Sequence, residues 1–327
     1  MRFLKVTDNQ QLTISETAAP AYTNHECLVK VAGIGINRAD LLQKAGKYPP
    51  PKGLTSILGL EVCGTVDAIG SQVTELSVGD NVMALLPGGG YAEYVNVHAK
   101  QLIKLPKHFD ITQGAGFIET FVTAYQALFS YGHLTANKNV LIHAGASGVG
   151  TAAITLAKSL GCFVAVTTSS AEKCQACLSL GADVAINYKE TDFEAECKAN
   201  GYGFDVIVDV VAGPYLAKNI NIANQDAQIV VLAILGGRFT EPVDIAKMLF
   251  KRVSIHASTL RNRSDDYKNQ LIEQFLNQFG EMLYARGSSL VPYIYQSFSW
   301  AEVNQAHQLL EKNQTVGKVV LLVDDSD

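Results

Sequence analysis

Between Val140 and Gly150 an apolar run passes through small residues into a helical pattern, reading Ala144-x-x-Ser147-x-x-Gly150 with Gly145 and Gly148 between. A strand that turns on glycine into a helix lets backbone N–H groups approach a pyrophosphate, and the positive helix end favours its charge. The spacing is not G-x-G-x-x-G, so alone it fits a nucleotide loop or any tight strand-to-helix turn. The strands around it favour the nucleotide, with Ser147, Gly148, Val149 and Gly150 as cofactor contacts. About 20 residues on, a fold that prefers NAD places an acid for the ribose 2′-hydroxyl. Here the chain reads Thr167, Thr168, Ser169, Ser170, Ala171, Glu172, Lys173. Hydroxyls, Ser169 among them, precede a cation suited to a 2′-phosphate, so NADP(H) is expected rather than NAD. Lys173 equally fits a solvated helix position, with Glu172 diluting its field.

Other chemistry-bearing side chains do not gather. Cys27, Cys63, Cys162, Cys174, Cys177 and Cys197 are scattered, as in a reducing compartment. Cys174 and Cys177 form a C-x-x-C without a second pair, inside a helix-like run, and are read as structural. The histidines, from His25 to His307, are dispersed.

Two textures position these residues. Up to about residue 105, short β-type runs alternate with turn residues: Phe3 to Val6, Leu12 to Ser15, Cys27 to Val31, Val62 to Ile69, Asn81 to Leu86 and Tyr94 to Val97. This rhythm leaves no room for crossover helices and implies a mostly antiparallel β domain. After about residue 120, six β-branched runs alternate with helical stretches: Asn139 to His143, Phe163 to Thr167, Asp183 to Asn187, Asp205 to Val210, Gln228 to Leu235 and Val253 to Ala257. That is the pattern of a doubly wound parallel sheet. Beyond Ser264 apolar residues recur at helical spacing, and Ser299-x-x-Glu302 is a capping box. The final run, Val319 to Val323, is expected to return to the first domain's sheet. The expected domains are therefore 1–120 completed by 290–327, and 121–289.

Length and composition agree. A chain of 327 residues suits two domains, and 48% hydrophobic with 17% charged residues excludes disorder. A net charge of −5 gives no electrostatic footprint for nucleic acid or an anionic membrane. No segment approaches the roughly 20 apolar residues of a membrane span, and the first ten residues lack a signal-peptide core, so the protein is expected in the cytoplasm.

The chain resembles the medium-chain dehydrogenase/reductase superfamily, and within it the zinc-free zeta-crystallin-like quinone oxidoreductases, nearest the tumour-suppressor-inducible branch. The residues that carry this are Gly35 to Asp40, Gly46 to Pro51, Leu58 to Gly64, Val78 to Asp80, His143 to Thr151, Asn187 with Tyr188, and Leu249 to Arg252 with Thr259 to Arg263. The resemblance implies a Rossmann domain plus a GroES-like catalytic domain. Where zinc alcohol dehydrogenases place a cysteine and a histidine ligand, this chain has Asn37 and Leu60, so no metal is expected.

Further implications follow from the same resemblance. Asn37 and Tyr48 are expected beside the nicotinamide, with Thr123 on the cofactor and Lys173, Tyr188 and Asn313 around its adenosine phosphate. Tyr48 is suited to donate to a carbonyl oxygen gaining charge. Alternatively, Asn37 caps a helix over Arg38 to Lys44, and Tyr48 packs a turn. The expected activity is NADPH-dependent reduction of quinones, with the acceptor held about 3 to 3.5 Å from the nicotinamide in a dry cleft. The rival enzyme reading is an enone or enal reductase. A non-enzymatic NADPH-binding or RNA-binding role would draw on Arg252, Arg261 and Arg263, a cluster of a size that is usually structural or solvated. The family also implies a homodimer through the edge strand Val253 to Ala257.

Overall fold

The computed structural model describes residues 1–324. It divides into one unit of residues 1–122 with the described residues from Leu260 onward, and a second unit of Thr123–Thr259.

In the first unit, strands run in the order Ile294–Ser299, Lys318–Leu322, Glu26–Ile36, Glu61–Ile69, Asn81–Leu85 and Leu102–Lys104, while Tyr94–His98 also pairs with Glu26–Ile36. All these pairs are antiparallel except Ile294–Ser299 with Lys318–Leu322. Alternation puts Val29, Val31, Val62 and Val82 into a core closed by Tyr91 and Trp300. The chain's last strand does return here, pairing Val319 with Ile36 and Val320 with Gly35.

The second unit is a six-stranded parallel sheet ordered Val184–Asn187, Phe163–Thr168, Asn139–His143, Phe204–Asp209, Ala223–Val231 and Ser254–Ala257. The middle strands are nearly continuous in Val, Ile and Leu because helices leave neither face to water. Strand order reverses beside Asn139–His143, so its carboxyl end, where the glycine loop begins, lies at a switch point.

One expected boundary needs correction. The chain returns to the first unit at Leu260, not at 290. The helix Asp265–Tyr284 is the cause: Phe275 meets Phe117 at 6.0 Å, Gln101 donates to Asp265 at 2.9 Å, and the Tyr284 hydroxyl donates to the Lys104 carbonyl at 3.0 Å. Its apolar stripe reads the same whichever sheet it covers, so periodicity alone leaves its partner open.

Candidate active site

The glycine loop runs from the Asn139–His143 strand into the helix Gly148–Ser159. Ser147 is its N-cap and accepts the Gly150 N–H at 3.0 Å. A Cβ on Gly150 would stand 2.5 Å from the carbonyl oxygens of both Ala144 and Gly145, and one on Gly145 would meet Val166 at 2.5 Å. Ala144 itself sits at φ +53°, a conformation a β-carbon disfavours. The loop is thus compressed to bare backbone, and the N–H groups of Gly148 and Val149 make no hydrogen bond among the described residues. Two free donors at the positive end of a 12-residue helix suit a phosphate.

The neighbouring strand ends at Thr168, whose carbonyl accepts the Tyr188 N–H at 3.0 Å. Ser170 caps the helix Ala171–Ser179 by accepting the Lys173 N–H at 3.3 Å. Ser169, Lys173 and Tyr188 therefore gather at the carboxyl ends of two adjacent strands. Lys173 is only 8% exposed, so it is not the solvated helix residue that local sequence also allowed. Thr123 opens the second unit, and its hydroxyl oxygen is buried without a hydrogen-bond partner. An orphan hydroxyl, free helix amides and an acid-free strand end fit a phosphorylated dinucleotide. Asn313 belongs to the first unit, exposed at φ +52° after the helix Val303–Glu311. Asn37 and Tyr48 are also in the first unit.

Asn37 is the N-cap of Arg38–Lys44, and its N–H donates to Asp40 at 2.8 Å. Its side chain turns elsewhere. Nδ2 donates to Glu61 Oε1 at 3.0 Å and to the Gly35 carbonyl at 3.3 Å, while Oδ1 accepts from Lys318 Nζ at 2.8 Å. Glu61 and Lys318 form an ion pair at 2.7 Å that is 0% and 3% exposed. Lys318 also donates to the Ile36 carbonyl at 2.7 Å, and Glu61 Oε2 accepts the Glu119 N–H at 3.0 Å. Both amide hydrogens of Asn37 are thus committed, leaving only a lone pair on Oδ1 for a ligand. The expected contact of Asn37 with the nicotinamide is narrowed to that oxygen. Asp40, fully buried, ties this turn to the next by accepting the Gly59 N–H at 3.0 Å, and burial pushes its carboxyl up to about 6.

Tyr48 is half-buried, with the Arg261 guanidinium 5.3 Å from its ring centroid. Burial raises the phenol's pKa and Arg261 opposes the shift. Glu119, on the helix Ile118–Tyr125, is pushed up to about 8 by burial and by Glu61, so at neutral pH it holds its proton. Sequence reasoning missed Glu61, Lys318 and Glu119 as a set. The available signal was weak: a lysine opening an otherwise apolar last strand, a position that equally suits a solvated strand end. Of the arginine cluster, Arg252 lies in the second unit, paired with Asp226 at 2.6 Å, while Arg261 and Arg263 lie in the first and line one cavity there.

A zinc ion does not fit around Asn37, where the donors are an amide already bonded and a carboxylate already paired, with aliphatic Leu60 in the remaining place. Among the described residues, no helix is long and apolar enough to cross a membrane.

Residues 23–107 match the alcohol dehydrogenase GroES-like domain, and residues 148–277 match the family described as zinc-binding dehydrogenase. A quinone oxidoreductase of Lama guanicoe is 31% identical over 316 residues, covering 94% of this chain and 92% of its own length. Curated relatives are covered over 66% to 92% of their length. Among solved structures, a mycobacterial protein complexed with NADPH has a TM-score of 0.83 at 27% identity, covering 98% of this chain and 99% of that one. CurK enoyl reductase has a TM-score of 0.84 at 25% identity, covering 99% of both. With the antiparallel unit, the parallel sheet, its compressed phosphate loop and both domain families in register, the chain belongs to the medium-chain dehydrogenase/reductase superfamily of oxidoreductases.

Proposed function

We propose that this protein is a metal-free, NADPH-dependent quinone reductase, allied to the zeta-crystallin-like enzymes and their tumour-suppressor-inducible branch. The observation that carries the acceptor end is Tyr48, a half-buried phenol under a guanidinium, in the same unit as an Asn37 side chain fixed by Glu61 and Lys318. Bound NADPH would supply the hydride. The Gly148 and Val149 amides would hold its pyrophosphate, Thr123 its neutral polar groups, and Ser169, Lys173 and Tyr188 the adenosine 2′-phosphate. Tyr48 would donate its hydroxyl to the acceptor oxygen as negative charge develops there. A reduced quinone takes its protons from water, so no dedicated acid is required.

A second reading has its own support. An enone or enal reductase must protonate carbon, and Glu119, protonated near neutral pH, belongs to the same unit as Tyr48. A panel of quinones against enals, run with and without a chelator, separates the readings. Quinone turnover that survives chelation is expected, and turnover of enals alone would overturn the quinone assignment. Within that panel Tyr48→Phe is expected to lower kcat/KM for the acceptor roughly tenfold with NADPH affinity unchanged, since water can partly replace the hydroxyl. Full activity would reduce Tyr48 to a wall of the pocket.

The reading includes a twofold dimer. Ser254–Ala257 is an edge strand, and the helix Ile245–Lys251 buries none of its residues, leaving Ile245, Leu249 and Phe250 67%, 77% and 79% exposed. An apolar edge of this kind is normally covered. Light scattering at micromolar concentration should give twice the chain mass, and a monomer would rule the dimer out.

A further inference from the structure

Within the first unit, Lys52, Arg261, Arg263 and Lys268 line a cavity of about 500 Å³. Two of these cations are deeply buried: Arg261 is 6% exposed and Lys268, in the first turn of the Asp265–Tyr284 helix, 2%. Arg261 is held by neutral groups. Its Nε donates to the Pro87 carbonyl at 2.8 Å and its Nη2 to Gln43 Oε1 at 2.6 Å, while Nη1 is buried with no hydrogen-bond partner. Lys268 makes no ion pair or side-chain hydrogen bond among the described residues. Burial lowers the pKa of both, and Arg261 lowers that of Lys268 further.

Asp265 and Glu26 line the same cavity without forming an ion pair with either cation, although the field of Asp265 partly offsets the effect of burial on Lys268. Asp265, on the same helix, accepts from Gln101 Nε2 at 2.9 Å, and Glu26 accepts from Asn96 Nδ2 at 3.0 Å and from the Thr23 N–H at 2.7 Å. The field of Glu119 reaches both cations and that of Asp40 reaches Arg261, but neither carboxyl forms an ion pair with them, and Glu119 holds its proton near neutral pH. Two buried like charges facing one polar cavity are costly unless something anionic enters it. Arg261, whose guanidinium has two of three nitrogens fixed and one left over, is built to receive an oxygen.

We propose that this cavity is an oxyanion site, with Arg261 and Lys268 binding a carboxylate or phosphate carried by the acceptor. The link to the acceptor rests on reading Tyr48 as the acceptor end, because Arg261 lies against the Tyr48 ring. The oxyanion site itself rests on the two cations alone.

The test has a binding arm and a kinetic arm. Inorganic phosphate and acetate are titrated by calorimetry into the wild type, Lys268→Met and Arg261→Gln, at constant ionic strength set with chloride. Binding by the wild type, weakened at least tenfold in both variants, is expected, and the better probe identifies the group. Lys268→Met should also melt higher than the wild type in phosphate-free buffer, since it removes an uncompensated buried charge; a merely structural lysine would lower the melting temperature instead. In the kinetic arm, the wild-type preference for a naphthoquinone carboxylate over the same quinone without the acid should fall about tenfold in Lys268→Met. No binding above chloride, or a lower melting temperature with binding intact, overturns the site. Anion binding that both variants lose, without any quinone turnover, retains the site and overturns the acceptor reading.

Discussion

Lys318→Met is expected to destabilise the first unit by about 3 to 5 kcal/mol, the range for stranding one partner of a buried ion pair. Lys318 Nζ spends its donors on Glu61, Asn37 and the Ile36 carbonyl, and neither charged side chain reaches water. Methionine fills similar volume, so loss of packing is small and the Glu61 charge is what remains. At about 2 to 4 °C per kcal/mol for a unit of this size, the melting temperature should fall by roughly 10 °C. Adding Glu61→Gln should restore most of it, because a neutral amide costs far less to bury than an unpaired carboxylate. The pair can be measured by thermal and urea unfolding. A single variant within about 1 kcal/mol of wild type would mean that water reaches Glu61 and that the network does not fix Asn37.

The largest functional effect is expected at Lys173. Lys173→Ala should weaken NADPH binding roughly 10-fold to 150-fold, the equivalent of a charged hydrogen bond of about 1.5 to 3 kcal/mol, and leave NADH nearly unchanged. Only NADPH carries the 2′-phosphate, so the ratio of the two affinities isolates that contact from folding. Because Lys173 is buried, any small void left by alanine would lower both affinities by the same factor and drop out of the ratio. Fluorescence titration of each cofactor gives the ratio. Equal losses would make Lys173 a structural residue and remove the main support for NADPH in this chain.

Local pattern determined a large part of this protein. The runs Asn139 to His143 and Phe163 to Thr167 read as parallel strands and are strands, because side-chain period and β-branching act within a few residues. The loop at Ala144 to Gly150 was legible for the same reason: its glycines answer to backbone crowding inside one turn. Tertiary structure alone decided what depends on partners distant in sequence. Periodicity showed a helix after Ser264, but Phe117, Gln101 and Lys104 decide which unit it covers. Lys318 and Glu61 look unremarkable in their own segments, yet pairing of the Lys318–Leu322 and Glu61–Ile69 strands with opposite sides of Glu26–Ile36 brings their charges together. Nothing in the segments around Arg261 and Lys268 shows that folding buries both against one cavity. Periodicity records how a residue meets its own helix or strand, whereas burial and ion pairing are set by which elements dock, information no short window of sequence contains.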